Sequence, residues 1–303
     1  MTDRTIQGQG RALCAKGLKK NYGSQQVLRD LDLTIEPGHI YGLIGRNGAG
    51  KTTLLSILTG QNTKNGGEVT YGGEPVWENP RALGDLCFAR ELNPSSEVAA
   101  LKVEEYLLAA KLFCPRWDAA YADALLKKFG IDTKKRISKL SKGQMSMVTI
   151  TAALASRAPV TILDEPAAGL DVVMRERFYR LLLDDYAETG RTFVISTHII
   201  EEAAGVFERV IVLDEGRIIA DAPTEELVDR FRYVSGSAAA VDKALAGGPA
   251  PLQVQTVGAH KMAAIQGDGA LFERLAADPD LTLEGMSLQN VFVALCGHGD
   301  EEG

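Results

Sequence analysis

The chain has 303 residues, of which 45% are hydrophobic and 24% charged, a composition typical of a globular protein with one or two domains. Its net charge of −7 argues against a duplex nucleic-acid partner, because such proteins usually carry a basic face. No apolar run approaches the ~20 residues that a membrane helix needs, so we expect any membrane role to go through a partner.

The chain contains four cysteines that lie far apart, and no pair of them has the spacing of a zinc site. We therefore expect reduced thiols in a cytosolic protein. The four are Cys14, Cys87, Cys114 and Cys296.

The first part of the chain is predicted to form short strands separated by turns. The stretches ALCAKGLKKNYG, QVLRDLDLTIEPG and HIYGLIG are alternating and β-branched, and each ends near Gly or Pro. EVTYGGEPV adds another short strand and turn.

A helical pattern follows from about residue 99 to 156. Within it, DAAYADALLKKFG places apolar side chains at every fourth position, with Asp118 as the predicted N-cap and Gly130 as the stop. This segment predicts an all-helical insert.

Strands and helices alternate after the insert. VTILDEP and TFVIST are short apolar runs typical of buried parallel strands, and MRERFYRLLLDDYAETG between them predicts a helix. RVIVLDEGRIIADA predicts a hairpin with Glu-Gly at its tip. Together these elements predict an α/β domain that ends at about residue 222.

The composition then shifts towards Gly, Ala and Pro, which suggests a boundary before a small C-terminal α+β domain over residues 230–298. Its predicted order is strand, helix, strand, strand, helix, strand, helix. That order suggests a split-βαβ accessory domain.

The segment GRNGAGKTT matches the phosphate-loop pattern G-x-x-x-x-G-K-[ST], after a predicted strand and before a predicted helix. Glycines let backbone N–H groups turn towards phosphates, and the helix N-terminus adds positive charge. Lys51 is placed to reach the β- and γ-phosphates, and the Thr52 hydroxyl to bind Mg²⁺. The predicted ATP-binding residues of the loop are Gly45, Arg46, Asn47, Gly48, Ala49, Gly50, Lys51, Thr52 and Thr53.

A phosphate loop alone leaves a GTPase, a kinase and several ATPase families open. In TILDEP, Asp164 is predicted to hold Mg²⁺ through water and Glu165 to polarise the attacking water. No Asn-Lys-x-Asp motif that would read guanine is present, so ATP is favoured over GTP. His198 follows the next strand and is expected to bond either the γ-phosphate or Glu165.

In this order, the motifs of residues 11–222 resemble the nucleotide-binding subunit of an ABC transporter. The resemblance implies that Tyr22 stacks on adenine with Val27 packed nearby. It also implies that GRNGAGKTT is the Walker A loop, TILDEP the Walker B strand with its catalytic glutamate, and His198 the switch histidine. AGLD, which ends at Asp171, matches the D-loop.

LSKGQ resembles the family signature, usually written with Gly where Lys142 stands. The resemblance implies that this helix start binds the γ-phosphate of ATP held by a second subunit. The residues concerned are Ser141, Lys142, Gly143 and Gln144. Similar lysine-bearing signatures occur in exporter-type bacterial members.

A second departure lies where the core meets the helical subdomain, which we predict at about residues 88–157. The family has a Gln there that touches Mg²⁺ and couples to the membrane subunit, whereas this chain has Arg90 or Glu91. Glu91 could meet a metal-bound water, and Arg90 could meet only phosphate.

The resemblance implies an ATP- and Mg²⁺-dependent ATPase that dimerises, as a homo- or heterodimer, on a separate polytopic membrane subunit. The predicted place is the cytoplasmic face of the cell membrane, and the predicted role is export. The alternatives are a soluble non-transport ABC ATPase and a nucleotide-dependent switch with little turnover.

Overall fold

The computed structural model describes residues 10–93 and 97–297. They form two compact units: Met1–His198 with Leu213–Ile218, and Ile199–Val212 with Ile219–Gly303, as far as these are described. The units interleave along the chain, unlike the predicted domains 11–222 and 230–298, whose boundaries stay a prediction.

The first unit combines two sheets with a helical layer. Its elements are β1 Leu13–Tyr22, β2 Gln25–Ile35, β3 Ile40–Ile44, α1 Lys51–Leu58, β4 Gly66–Tyr71, β5 Glu74–Pro75, α2 Pro80–Leu83, β6 Leu86–Arg90, α3 Val103–Phe113, α4 Ala119–Lys128, α5 Lys142–Ala155, β7 Val160–Asp164, α6 Val172–Thr189 and β8 Thr192–Thr197. This α/β arrangement confirms the predicted fold class.

The two sheets of this unit differ in direction. β1, β2, β4 and β5 form an antiparallel sheet in the order β2-β1-β4-β5. β3, β8, β7 and β6 are neighbours in that order in a parallel sheet. Every residue of β3, β7 and β8 is buried, as expected for parallel strands covered on both faces. The carboxyl ends of these strands therefore meet at one edge.

The helices of this layer follow strand β6. Phe88 to Arg90 belong to that strand, which pairs in parallel with β7. The bounds of the helical subdomain, about residues 88–157, stay a prediction. The predicted N-cap is confirmed, since the Asp118 side chain accepts from the Tyr121 amide at 2.9 Å. α4 then ends before Gly130, which has a φ of 63°.

Ion pairs join the helical layer to the parallel sheet. The Arg157 guanidinium bonds Asp118 at the start of α4 and Asp185 in α6, each at 3.1 Å. Arg191, just before β8, bonds the other oxygen of Asp185 at 2.7 Å. The Tyr121 amide, with Arg157 beside it, lowers the pKa of the Asp118 carboxyl. Because Asp185 is fully buried, these bonds keep its charge satisfied.

The predicted Glu-Gly turn is confirmed at Glu215 and Gly216, which both have positive φ. It joins β9 Arg209–Asp214 to β10 Arg217–Pro223. The tip of this hairpin, Leu213–Ile218, belongs to the first unit.

The second unit contains a four-stranded antiparallel sheet in the order β12-β13-β11-β14. The strand–helix–strand, strand–helix–strand order has the connectivity of a split βαβ motif. Its core includes Val234, Val241 and Ile265. The elements are α7 Ile200–Ala203, α8 Thr224–Asp229, β11 Phe231–Ser237, α9 Ala238–Leu245, β12 Gln253–Val257, β13 His260–Gln266, α10 Gly269–Ala276, β14 Leu281–Gly285 and α11 Leu288–Cys296, with the remainder of β9 and β10.

Across the described ranges 10–93 and 97–297, no helix is long and apolar enough to cross a bilayer. All four cysteines are free thiols. Burial, with Cys87 nearby, raises the pKa of the Cys114 thiol to about 11.

Candidate functional site

The predicted phosphate loop connects β3 to α1, as the motif requires. Gly50 precedes the helix with a φ of 106°, which L side chains rarely adopt, and a Cβ there would also press on Val27 and Leu28. A Cβ on Gly45 would lie 2.4 Å from the Leu213 carbonyl oxygen. Both glycines are therefore needed for the path of the loop.

Within the loop, the buried Lys51 side chain folds back over its own backbone. Its Nζ donates to the carbonyl oxygen of Gly45 at 2.7 Å and to that of Arg46 at 3.4 Å. The amide of Ala49 closes a turn by donating to the Arg46 carbonyl oxygen at 3.1 Å, and Gly48 has a φ of 84°. Asn47 is exposed at the tip of the loop.

The Thr52 hydroxyl and the Asp164 carboxylate meet at the edge of the parallel sheet. Thr52 Oγ1 donates to Asp164 Oδ2 at 2.6 Å. The Ser196 hydroxyl, at the end of β8, donates to the other oxygen, Asp164 Oδ1. Asp164 pairs with Ser196 in the parallel register of β7 and β8, which brings residues 32 apart in sequence into contact.

Glu165 follows β7 in an unusual backbone conformation, with a φ of 51°. Its amide bonds the Ser196 hydroxyl at 3.0 Å, and its carboxylate bonds His198 Nδ1 at 2.7 Å. Lys51 Nζ lies 3.6 Å from the same carboxylate. A non-glycine residue held at positive φ is typical of functional sites, where surrounding bonds fix a strained geometry. The structure thus brings Lys51, Glu165 and His198 together.

The oxygen atoms of Thr52 and Asp164 fit a magnesium ion in chemical type. Mg²⁺ prefers oxygen ligands and in nucleotide sites is held by one or two protein side chains together with phosphate oxygens. No group of three or more His, Cys, Asp and Glu side chains that could hold a metal occurs within residues 10–93 and 97–297.

A cavity of about 210 Å³ adjoins the start of α1. Tyr22 lies at its rim, half-exposed, with its hydroxyl accepting from Asn62 Nδ2 at 2.7 Å. The buried Lys20 bonds Asn62 Oδ1 at 3.1 Å and lies 4.9 Å from the centre of the Tyr22 ring. These contacts hold the Tyr22 ring at the rim of the cavity. The lining residues are Tyr22, Thr52, Thr53, Ser56, Gln61, Asn62 and Arg90.

The LSKGQ segment forms a capped helix start. Ser141 Oγ accepts from the Gln144 amide at 3.2 Å, and Gln144 Oε1 accepts from the Ser141 amide at 3.1 Å. Lys142 Nζ pairs with Glu91 at 3.0 Å. Gly143 lies close to the carbonyl of Gly169 in the AGLD turn.

Asp171 is the N-cap of α6, where its carboxylate accepts from the Met174 amide at 2.9 Å. The contacts named above for Lys51, Glu165 and His198 include none to Asp171 or to the LSKGQ segment.

Sequence reasoning missed Ser196, whose hydroxyl contacts both acidic residues of TILDEP. The available signal was its place at the end of the strand TFVIST, two residues before His198. It also left the roles of Arg90 and Glu91 open. In the structure only Arg90 lines the cavity, and Glu91 contacts the LSKGQ helix.

Comparison with known proteins finds the ABC transporter family over residues 28–168. The aliphatic sulfonates import ATP-binding protein SsuB of Rhodopseudomonas palustris is 34% identical over 71% of this chain and 75% of its own length. The Nod factor export ATP-binding protein I of Burkholderia lata is 32% identical over 71% of each chain.

A solved structure shares the fold of this chain. It is the dimeric post-hydrolysis state of the ATP-binding cassette MJ0796 bound to ADP and Pi. Its TM-score is 0.61 at 23% identity, with 70% of this chain and 98% of that chain covered. This likeness supports the fold independently of the motifs.

Proposed function

Because the chain belongs to the family of ABC transporter ATP-binding proteins and carries an ABC ATPase domain, we propose that two such domains hydrolyse ATP to drive export through a separate membrane subunit. The observation that supports this most is the cluster at the carboxyl end of β7. There Thr52 bonds Asp164 at 2.6 Å, and Glu165 bonds His198 at 2.7 Å.

The proposed chemistry assigns one task to each side chain. Lys51 binds the β- and γ-phosphates, and Thr52 and Asp164 hold Mg²⁺, which when bound neutralises charge on the phosphates. Glu165 accepts a proton from the attacking water, as a general base. His198 orients the Glu165 carboxylate through its 2.7 Å bond. The half-exposed Tyr22 ring stacks on adenine beside Val27.

Dimerisation supplies the second half of each site. A helix N-terminus binds anions through its free N–H groups and its partial positive charge. The Ser141–Gln144 capping box orders such an N-terminus on the surface, and its γ-phosphate partner would be ATP held by the second subunit. Exposed valines at 172 and 173, just after Asp171, offer further contact area for a second subunit.

The direction of transport is inferred from the signature segment. Relatives of similar identity carry names for both import and export. Export is favoured by the lysine at position 142, which resembles the signature of exporter-type members. A position on the inner face of the cell membrane follows from the same proposal.

A switch with little turnover is the second candidate, and the replacement of the family Gln by Arg90 and Glu91 favours it. Steady-state ATP hydrolysis with Mg²⁺ separates the two. Turnover of about 1 s⁻¹ or more, within the usual range of enzymes, supports the transporter ATPase. Turnover orders of magnitude slower, with tight ATP binding, supports the switch.

The transporter proposal is tested by isolating the tagged chain from native membranes in mild detergent. A polytopic membrane protein recovered in stoichiometric amount is expected. Recovery only from the soluble fraction would refute the proposal. Untargeted mass spectrometry of cells lacking the gene then tests direction, because loss of an exporter raises the intracellular level of its substrate and loss of an importer lowers it.

A further inference from the structure

The end of strand β6 carries two adjacent charged residues that face different parts of the molecule. Arg90 lines the 210 Å³ cavity beside Thr52 and Thr53. Glu91 contacts the start of α5 instead. The family has a single glutamine in this region. In this chain two charged side chains lie there, and each contacts a different part of the molecule.

Glu91 is engaged on the side of the signature helix. Its carboxylate lies 3.0 Å from Lys142 Nζ. The stem of Lys142 lies over Gly169, where a Cβ would be only 2.5 Å from Lys142 Cγ. The lysine is thus laid along the AGLD turn with its ammonium group at Glu91. Glu91 is thus paired with the signature helix, and the residues that line the cavity do not include it.

Arg90 is available for a ligand in that cavity. It is exposed, and within residues 10–93 and 97–297 its guanidinium has no hydrogen-bond or ion-pair partner. It pairs with Asp164 in the parallel register of β6 and β7. Asp164 in turn is bonded to Thr52, the residue placed for Mg²⁺ between the β- and γ-phosphates. The Arg90 backbone therefore lies beside the end of β7 that carries Asp164, and its side chain lines the cavity together with Thr52.

We propose that Arg90 binds the terminal phosphate of ATP held by the phosphate loop of its own chain. This rests on the proposed function and deepens it. A guanidinium has five donors and no acceptor, so it cannot replace glutamine as a metal ligand. It can form paired charge-assisted bonds to phosphate oxygens. The family glutamine contacts the metal, whereas Arg90 contacts the terminal phosphate directly.

The test is nucleotide binding by calorimetry to the full chain and to Arg90→Ala, with ATP and with ADP, in Mg²⁺ and in EDTA. Losing a bond to a charged group predicts about tenfold weaker ATP binding, with ADP affinity changed less than about twofold. The loss is expected in EDTA as well. Arg90→Lys, which keeps the charge without the paired geometry, should fall between the two.

Arg180→Ala is the matched control, because Arg180 is exposed on α6 and pairs only with Glu176 at 2.8 Å in the described chain. Three results would overturn the proposal: equal ATP affinity in Arg90→Ala and the unchanged protein, equal losses for ATP and ADP, or a loss confined to Mg²⁺. Lys51→Ala serves as the reference variant for loss of ATP binding at the phosphate loop. If the unchanged protein binds neither nucleotide, the proposed function fails together with this inference. If Lys51→Ala loses ATP and Arg90→Ala does not, only the inference fails.

Discussion

Replacement of Glu165 by glutamine tests the proposed hydrolysis mechanism directly. The amide keeps the shape of the side chain but cannot accept a proton, and general-base catalysis typically contributes 10²- to 10⁴-fold. We therefore expect the ATP turnover of Glu165→Gln to fall by at least about a hundredfold. The Glu165 side chain is 22% exposed and is held by its 2.7 Å bond to His198, so we expect the glutamine to occupy the same place.

The same substitution should leave ATP binding intact or strengthen it. Lys51 Nζ lies 3.6 Å from the Glu165 carboxylate, a gross attraction of about 5 kcal/mol at an effective dielectric constant of 20, which solvent and desolvation reduce. Neutralising the carboxylate removes this competitor for Lys51 and a charge that repels phosphate. We therefore expect an ATP-bound dimer to accumulate, because ATP still binds and the hydrolysis that would remove it is blocked.

The assays are steady-state ATP hydrolysis with Mg²⁺ and light scattering after gel filtration with saturating ATP. Glu176→Gln is the control, because it makes the same change on the exposed face of α6. Turnover of Glu165→Gln within about twofold of the unchanged protein would refute the role of Glu165. A variant that stays monomeric with saturating ATP and Mg²⁺ would refute the dimer mechanism.

Three further predictions concern stability and reactivity. Asp118→Ala removes an N-cap and a partner of Arg157 and should lower the free energy of unfolding in urea by about 1–2 kcal/mol at pH 7, with Asn as the cap-preserving control. The folded-state pKa of Asp118 lies below its unfolded value of about 3.9. The stability that the Asp118 charge contributes is therefore complete above the unfolded pKa and is lost as pH falls through the folded pKa. If Asp118→Ala lowered the free energy of unfolding as much at pH 3 as at pH 7, this reasoning would be contradicted. Cys114, with its pKa raised to about 11, should react with iodoacetamide at pH 8 about a hundredfold more slowly than free cysteine, as followed by peptide mass spectrometry, and equal rates would refute the burial argument. Glu91→Lys and Lys142→Glu should each lower the free energy of unfolding in urea slightly, and the two changes should compensate when combined. The expected coupling energy is below about 1 kcal/mol and should disappear in high salt. Strictly additive effects would show that the ion pair does not form.

The sequence predicted the features that depend on local chemistry. The phosphate-loop pattern needs Gly50 at positive φ, and the structure has it there. The cap at Asp118 and the Glu-Gly turn were also predicted correctly, because each depends on a few neighbouring residues. The place of the segment before the helical layer depends instead on tertiary pairing. Phe88 to Arg90 lie in a strand that pairs with β7, which is distant in sequence.

The sequence alone indicated most of the residues of the candidate nucleotide site. Only the tertiary structure shows which of them bond to one another. Asp164, Glu165 and His198 could be predicted as site residues from the sequence. Each follows a short apolar run typical of a buried strand, and the ends of parallel strands meet at one edge of the sheet. Ser196 could not, since a serine becomes significant only when the parallel register places it beside Asp164. The same holds for Arg90 and Glu91. Arg90 is the last residue of β6 and Glu91 follows it, and only the tertiary structure places Arg90 at the cavity beside Thr52 and Glu91 against Lys142.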